Sequence, residues 1–269
     1  MKYDLILSDF DGTFRHRDTS IGEKTISAVR EFTRRGGKFA ICTGRMPSSI
    51  RPVLLSLGLE GEYVAYQGSL VAEIQSGKVL REGGFTRKQA LRVAAVMEEA
   101  GLRIHAYDEN TCFVNYRDEQ LEIYERICAI RSKDVASVSE TIAASSARFF
   151  KLIAMVKREE RNEVRDYLRS RLGEEEFFVS CSASTLVEVT EKNDTKGAAV
   201  EFLSDYYNIP KERVLAFGDN QNDAPMLRAA GHGVAVGNAD PSLKAVADET
   251  LEKTCDEDAV GEYIERFVL

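Results

Sequence analysis

The chain has no tryptophan, only five prolines and only three histidines in 269 residues. Its five cysteines (Cys42, Cys112, Cys128, Cys181 and Cys255) never form a C-x-x-C pair, and the histidines (His16, His105 and His232) are equally scattered. That spacing excludes a recognisable zinc site and indicates no disulfide framework. Most cysteines sit among apolar residues, as small buried side chains in a reducing compartment do. No apolar run approaches the length of a membrane span. Asp4 and Asp9 fall where a signal peptide would carry its apolar stretch. A cytoplasmic location without membrane attachment is therefore expected. Basic side chains are outnumbered 36 to 44, giving a net charge of −8, which argues against a nucleic-acid partner. Repeats and low-complexity segments are missing as well, and nothing reports the oligomeric state.

What is present is a globular composition, 43% hydrophobic and 30% charged. Residues 3–8 read as a buried strand. Ile21, Ile26, Val29 and Phe32 then recur at near-helical spacing, and Gly36-Gly37 stops that helix. Two more short apolar strands, 38–43 and 63–66, flank a helix that opens near Pro47. This rhythm predicts an α/β fold with a doubly wound parallel sheet. It breaks after two short strands around Gly77 and returns after Asn193. Between lie helices and adjacent strands in the order of an α+β unit. The expected organisation is a discontinuous core, 1–83 and 191–269, with an inserted α+β cap at 84–190.

Four polar groupings punctuate the core. The first strand runs into Asp9-Phe10-Asp11-Gly12-Thr13. Carboxylates at the carboxyl edge of an open sheet stand where such sheets bind ligands, and together they need a cation or a proton. Mg2+ suits oxygen ligands of this kind. Read alone, the segment is also an ordinary Asp-Gly turn. Thr43-Gly44-Arg45 follows the second core strand and suits a phosphate oxygen, although an N-capped turn looks the same. Lys196-Gly197 opens a helix and by itself says little. Gly218-Asp219-Asn220-Gln221-Asn222-Asp223 is a second acidic strand end, or a polar loop with capping residues.

Taken together and in this order, the four resemble the haloacid dehalogenase-like (HAD) hydrolases, in particular the Cof-type phosphatases with a large inserted cap. The resemblance spans Asp9 to Asp223. It implies a Mg2+-dependent phosphatase of small phosphorylated metabolites, such as sugar phosphates or phosphorylated cofactors. Asp9 would be the nucleophile and Asp11 the general acid and base. Mg2+ would be held by Asp9, the Asp11 carbonyl and Asp219, with Asp223 in support. Thr43, Gly44, Lys196, Asn222 and the Phe10 N–H would hold the phosphoryl oxygens. A phosphomutase or phosphotransferase on the same scaffold is the alternative. A non-catalytic binding or regulatory protein is a third reading, but one with no need for Asp9, Asp11, Lys196 and Asp219 together. The sequence departs from the family pattern at Gln67-Gly68-Ser69, where Asn-Gly is usual, and at the basic run Arg15-His16-Arg17. Candidates for cap specificity are Tyr107, Asn110, Asn115, Tyr116 and Arg117.

Overall fold

The structure is a computed structural model that describes residues 2–269. The chain first forms β1 (Leu5–Ser8), α1 (Glu23–Arg34), β2 (Lys38–Cys42), α2 (Pro47–Ser56), β3 (Glu62–Ala65), β4 (Leu70–Glu73) and β5 (Val79–Glu82). A second group follows: α3 (Arg87–Glu99), β6 (Arg103–Tyr107), β7 (Cys112–Val114), α4 (Glu119–Cys128), β8 (Ser132–Asp134), α5 (Val138–Ala144), β9 (Lys151–Met155), α6 (Arg161–Leu172), β10 (Phe177–Ala183) and β11 (Leu186–Glu191). The chain closes with α7 (Lys196–Tyr207), β12 (Val214–Gly218), α8 (Ala224–Ala229), β13 (His232–Ala235), α9 (Pro241–Lys244), β14 (Glu249–Thr250) and α10 (Ala259–Phe267). Three of the short elements, β8, α5 and β14, carry too few residues to show a period in the sequence.

The first and last groups build one eight-stranded sheet, ordered β14-β13-β12-β1-β2-β3-β4-β5. It is parallel from β14 to β3 and antiparallel at β4 and β5. β1, β2, β3 and β12 are buried along their whole length, apart from Lys38 at the start of β2. Such strands read as near-continuous apolar runs because helices cover both faces. The chain winds one way from β1 to β2 and β3, and the other way from β12 to β13. β1 and β12 are therefore neighbours at the switch point, where doubly wound sheets open a ligand crevice. Their register pairs Ser8 with Phe217, and the Asp9 N–H donates to the Phe217 carbonyl at 2.9 Å. Asp9 and Asp219, 210 positions apart in sequence, are brought to one sheet edge by this pairing alone.

The middle group forms a six-stranded sheet, ordered β10-β11-β9-β6-β7-β8, with its own apolar core around Val93, Met97, Leu152, Leu168 and Val189. Core groups also cap its helix α4. Arg45 donates to the Ile127 carbonyl at 2.7 Å, and Ser49 donates to the Cys128 carbonyl. These are carbonyls that a helix end leaves without internal partners.

His105 sits at the centre of this sheet, fully buried. Its Nε2 lies 2.6 Å from the Tyr116 hydroxyl, which itself donates to the Met155 sulfur at 3.2 Å. Its Nδ1 has no partner among the described residues. The tautomer with the proton on Nε2 leaves only a lone pair unsatisfied, the cheaper of the two omissions. Burial, with the nearby Lys151 charge, pushes the His105 pKa down to about 3. Free histidine titrates near 6.5. Below that value the unfolded chain binds the proton that the folded chain refuses. Stability is thus full above pH 6.5 and is lost as pH falls toward 3, at up to about 1.4 kcal/mol per unit from this group. Denaturant unfolding of His105→Gln at several pH values should show a shallower loss between pH 6.5 and 4 than the unaltered chain.

Candidate active site

Lys196 is the first residue of α7, whose N-cap is Thr195. A cation there opposes the helix dipole, so something stronger must hold it. Its ammonium lies 2.5 Å from Asp9 Oδ1 and 2.6 Å from Asp223 Oδ1, fully buried. Burial alone would lower its pKa, but the charges of Asp223 and Asp9 outweigh that and raise it. The other Asp223 oxygen accepts from the N–H groups of Asp219 (2.9 Å) and Asn220 (3.0 Å). Both oxygens of Asp223 are therefore engaged in shaping the loop.

Asp9, Asp219 and Asp223 offer carboxylate oxygens within 4.8 Å of one another. Burial, reinforced by Asp223, pushes the Asp9 pKa up to about 7 against the pull of Lys196. Burial, then Asp9 and Asp223, raises that of Asp219 well above the usual range. Among the described residues the Asp219 side chain receives only a 3.5 Å contact from the Thr13 hydroxyl. A half-buried carboxylate with so few partners, beside the buried Asp9, is the donor set a hard divalent cation takes. The cluster fits Mg2+, with Asp9 and Asp219 as the free oxygen donors. Gly12 is required beside it: its φ is +86°, and a Cβ there would sit 2.7 Å from Asp219 Oδ2.

The Asp11 carboxylate stands apart from this cluster. It accepts from Arg45 Nε at 2.7 Å and Nη2 at 3.0 Å, and also pairs with Arg15. Arg45 thus joins Asp11 to the end of α4 in the cap, a link no sequence pattern announces. The N–H groups of Phe10, Asp11 and Gly44 meet no acceptor among the described residues. Asp11, Thr43 and Gly44 line a cavity of about 470 Å³, together with Asp9, Asp219 and Asn222. Free donors beside buried carboxylates mark a place for an anion that arrives with a cation.

The cap closes the cavity with α4, β9, β10 and β11, and not with the β6–β7 hairpin. None of the five expected specificity residues lines it. Tyr107 is buried, its hydroxyl 2.6 Å from that of Tyr124 and its ring beneath Lys151; it supports two residues that do line the cavity. Asn115 bonds the backbone of Ile104 and Leu102. Tyr116 is engaged with His105, Arg117 with Asp134 and Glu125, and Asn110 lies in the β6–β7 turn. Tyr107, Asn115, Tyr116 and Arg117 are thus engaged within the cap, and β6 and β7 lie beyond β9, away from β10 and β11.

The cap residues that do face the site include Lys151, Ser182 and Glu188. Lys151 Nζ lies 3.2 Å from Glu188 Oε2, and Ser182 donates to Glu188 Oε1. Gln67 Nε2 donates to Glu188 Oε2 at 2.9 Å, and Gln67 Oε1 accepts from Asn222 at 2.9 Å. The departure at Gln67 is therefore a bridge from cap to core. Tyr66 and Gln67 hold positive φ values, 50° and 62°, an uncommon conformation outside glycine. The loop is fixed by the Gln67 N–H on the Thr43 carbonyl (3.1 Å) and by the Tyr66 hydroxyl on the Asp108 carbonyl (2.8 Å). A usable signal did exist for the buried pair. Lys151 interrupts Phe149-Phe150 and Leu152-Ile153-Ala154, and Glu188 interrupts Val187 and Val189. Charges inside apolar strands must be paired.

A strand-end cluster of aspartates with a buried lysine, under a second sheet, defines a hydrolase that transfers phosphoryl groups through aspartate. The chain belongs to the haloacid dehalogenase-like hydrolases, whose family model matches residues 6–264, and it has the capped Cof-type architecture. A Haemophilus influenzae protein with a provisional phosphatase name is 29% identical over 266 residues, 98% of each chain. The HMP-PP phosphatase of Yersinia enterocolitica is 25% identical over 267 residues, 99% of this chain and 96% of that one. The solved structure of a HAD subclass IIB sugar phosphatase superposes with a TM-score of 0.84 at 24% identity, covering 98% of both chains. No helix among the described residues is long and apolar enough to cross a membrane.

Proposed function

We propose that this chain is a Mg2+-dependent phosphatase acting on small phosphorylated metabolites. The supporting observation is the cluster of Asp9, Asp219 and Asp223, two of them paired with the buried Lys196, beside a cavity lined by N–H groups without partners among the described residues. Asp9 is the nucleophile. Its carboxylate oxygen forms a bond to phosphorus as the bond to the ester oxygen breaks, giving an aspartyl-phosphate. Asp11 is the general acid and base. Its carboxylate, which accepts from Arg45 and pairs with Arg15 in this structure, has to leave those partners and take up a proton before it gives that proton to the departing alcohol. It then takes one from the water that hydrolyses the acyl-phosphate. Lys196 offsets the negative charge of Asp9 and of the incoming phosphoryl group. Thr43, the N–H groups of Phe10 and Gly44, and Asn222 hold the phosphoryl oxygens. Asp9, Asp219 and the Asp11 carbonyl would hold Mg2+, and Asp223 keeps Lys196 and the Asp219 loop in place. When bound, the ion supplies charge neutralisation that lets an anionic nucleophile approach a phosphate. The HMP-PP phosphatase and the sugar phosphatase among the similar proteins support a small phosphate ester as substrate. The boundaries proposed for the cap, 84–190, enclose the whole second sheet but for the last residue of β11.

The test is release of inorganic phosphate from p-nitrophenyl phosphate with Mg2+ and no added acceptor. Turnover is expected, with EDTA reducing it to background and Ca2+ restoring only a small part, since its looser coordination misplaces the reacting groups. Full activity in EDTA would overturn the metal site. Transfer to an added sugar with no hydrolysis in its absence would replace phosphatase by phosphotransferase.

A further inference from the structure

Resting on the phosphatase reading, we infer that Gln67 is a positioning residue. It passes a donor–acceptor polarity set by Glu188 of the cap to Asn222, so that the Asn222 amide keeps an N–H for the phosphoryl group while the cap is seated. The two ends of a side-chain amide are nearly alike in shape, and their partners decide which end points where. Two amides in series, Gln67 and Asn222, therefore need an outside reference, and Glu188 supplies it. Lys151 Nζ lies 3.2 Å from Glu188 Oε2, and an ionised carboxylate accepts hydrogen bonds but donates none. Gln67 must turn its Nε2 toward Glu188, at 2.9 Å. Its Oε1 is left to face Asn222, which answers with Nδ2, also at 2.9 Å. That nitrogen carries two N–H groups, so one remains free.

Among the described residues no donor meets Asn222 Oδ1, which is buried, so nothing on that side selects the orientation. Reversed, the amide would set oxygen against Gln67 Oε1 and bring an acceptor to an anion in place of a donor. Gln67 itself is held in one conformation. It is buried, its backbone has φ +62°, and its N–H is fixed on the Thr43 carbonyl. A Cβ on Gly44 would meet its Nε2 at 2.5 Å, so the amide also lies against the Thr43-Gly44 loop. The series runs from β11 in the cap, through the loop after β3, to the turn after β12. Withdrawal of the cap takes Glu188 away and frees both amides to turn.

The experiment measures kcat/KM for p-nitrophenyl phosphate and the inhibition constant of inorganic phosphate, both with Mg2+, in Gln67→Met, Asn222→Ala and the double variant. Methionine keeps the length of glutamine and removes its amide. Gln67→Met should lower kcat/KM by about tenfold and weaken inorganic phosphate by about fivefold. The double variant should match Asn222→Ala within about twofold, because a residue that works through Asn222 then has nothing left to position. A packing role for Gln67 would instead multiply the two losses. Unfolding midpoints check the fold. Should Gln67→Met fail to fold, Gln67→Asn takes its place: asparagine tolerates positive φ, and its amide is one methylene too short to reach both partners. The Lys151→Met/Glu188→Gln variant leaves no unpaired buried charge, and its new amide can face either way. It should cost about threefold in kcat/KM and add nothing to Asn222→Ala. Full activity in Gln67→Met, multiplied losses in its double variant, or full activity in Lys151→Met/Glu188→Gln would each overturn the inference and leave the phosphatase reading standing. No phosphate release by the unaltered protein would overturn the phosphatase reading, and this inference with it.

Discussion

Asp9→Asn should leave a folded protein that releases no phosphate, with turnover of p-nitrophenyl phosphate down by at least about 10⁴-fold. The amide is nearly isosteric with the carboxylate, keeps the bond from the Asp9 N–H to Phe217, and can still accept from Lys196. It is a poor nucleophile and a poor ligand for a hard cation, so chemistry and metal are lost together. The fold has reason to tolerate the change. Asp9 faces Asp219 and Asp223 within 4.8 Å, and a neutral amide removes mutual repulsion while Lys196 keeps its 2.6 Å contact with Asp223. Without added metal, the unfolding midpoint of Asp9→Asn should equal or exceed that of the unaltered chain. With Mg2+ the order should reverse, because only the unaltered chain gains the ligand's stabilisation. Retained turnover would remove Asp9 from the nucleophile's role, and a collapsed midpoint without metal would show that its charge is needed for folding.

Those residues were legible because they sit at ends of strong elements. β1 and β12 are uninterrupted apolar runs, so the acidic residues after them had to lie at a sheet edge, and the α/β rhythm placed both runs in one sheet. Lys196 was legible in its position but not in its burial, since a lysine beginning a helix is usually solvated. The cap was readable in class and less so in detail. β8 and α5, a three-residue strand and a seven-residue helix, are too short to show a period in the sequence. The specificity candidates were drawn from a polar hairpin because polar side chains on a turn look accessible. Asn115 and Tyr116 are instead engaged inside the cap, through partners 11 to 39 positions away in the chain. The residues that line the cavity looked structural for the opposite reason. Ile123 and Ile127 have the spacing of a core-facing helix, and only the position of α4 over the core leaves that face open. Arg45 shows the same limit: its motif suggested a phosphate loop, while its contact with the Ile127 carbonyl depends on which cap element lands beside α2.

Lys196→Met should be the most damaging single change to the metal-free fold. The methionine fills nearly the same space but removes the only cation that touches either Asp9 or Asp223 among the described residues. Three carboxylates would then share one buried pocket without a counter-charge. Removing one partner of a buried pair typically destabilises by about 3–5 kcal/mol, and here two partners are abandoned at once. Part of the loss should return with Mg2+, which would bind between Asp9 and Asp219 and offset charge in the cluster, while one Asp223 oxygen stays held by the Asp219 and Asn220 N–H groups. Thermal unfolding with and without Mg2+ should therefore show a wider gap in Lys196→Met than in the unaltered protein. Turnover at saturating Mg2+ should fall by about 10²–10³-fold yet stay measurable, since the nucleophile and metal remain while one stabilising charge at the phosphoryl group is gone. Lys196→Arg should not restore it, because a planar guanidinium is bulkier than the buried ammonium that now bridges two carboxylates at 2.5 and 2.6 Å. An unchanged unfolding midpoint in Lys196→Met without metal would mean that protons, not Lys196, neutralise the cluster, and the account of how the fold tolerates three clustered aspartates would have to be rebuilt.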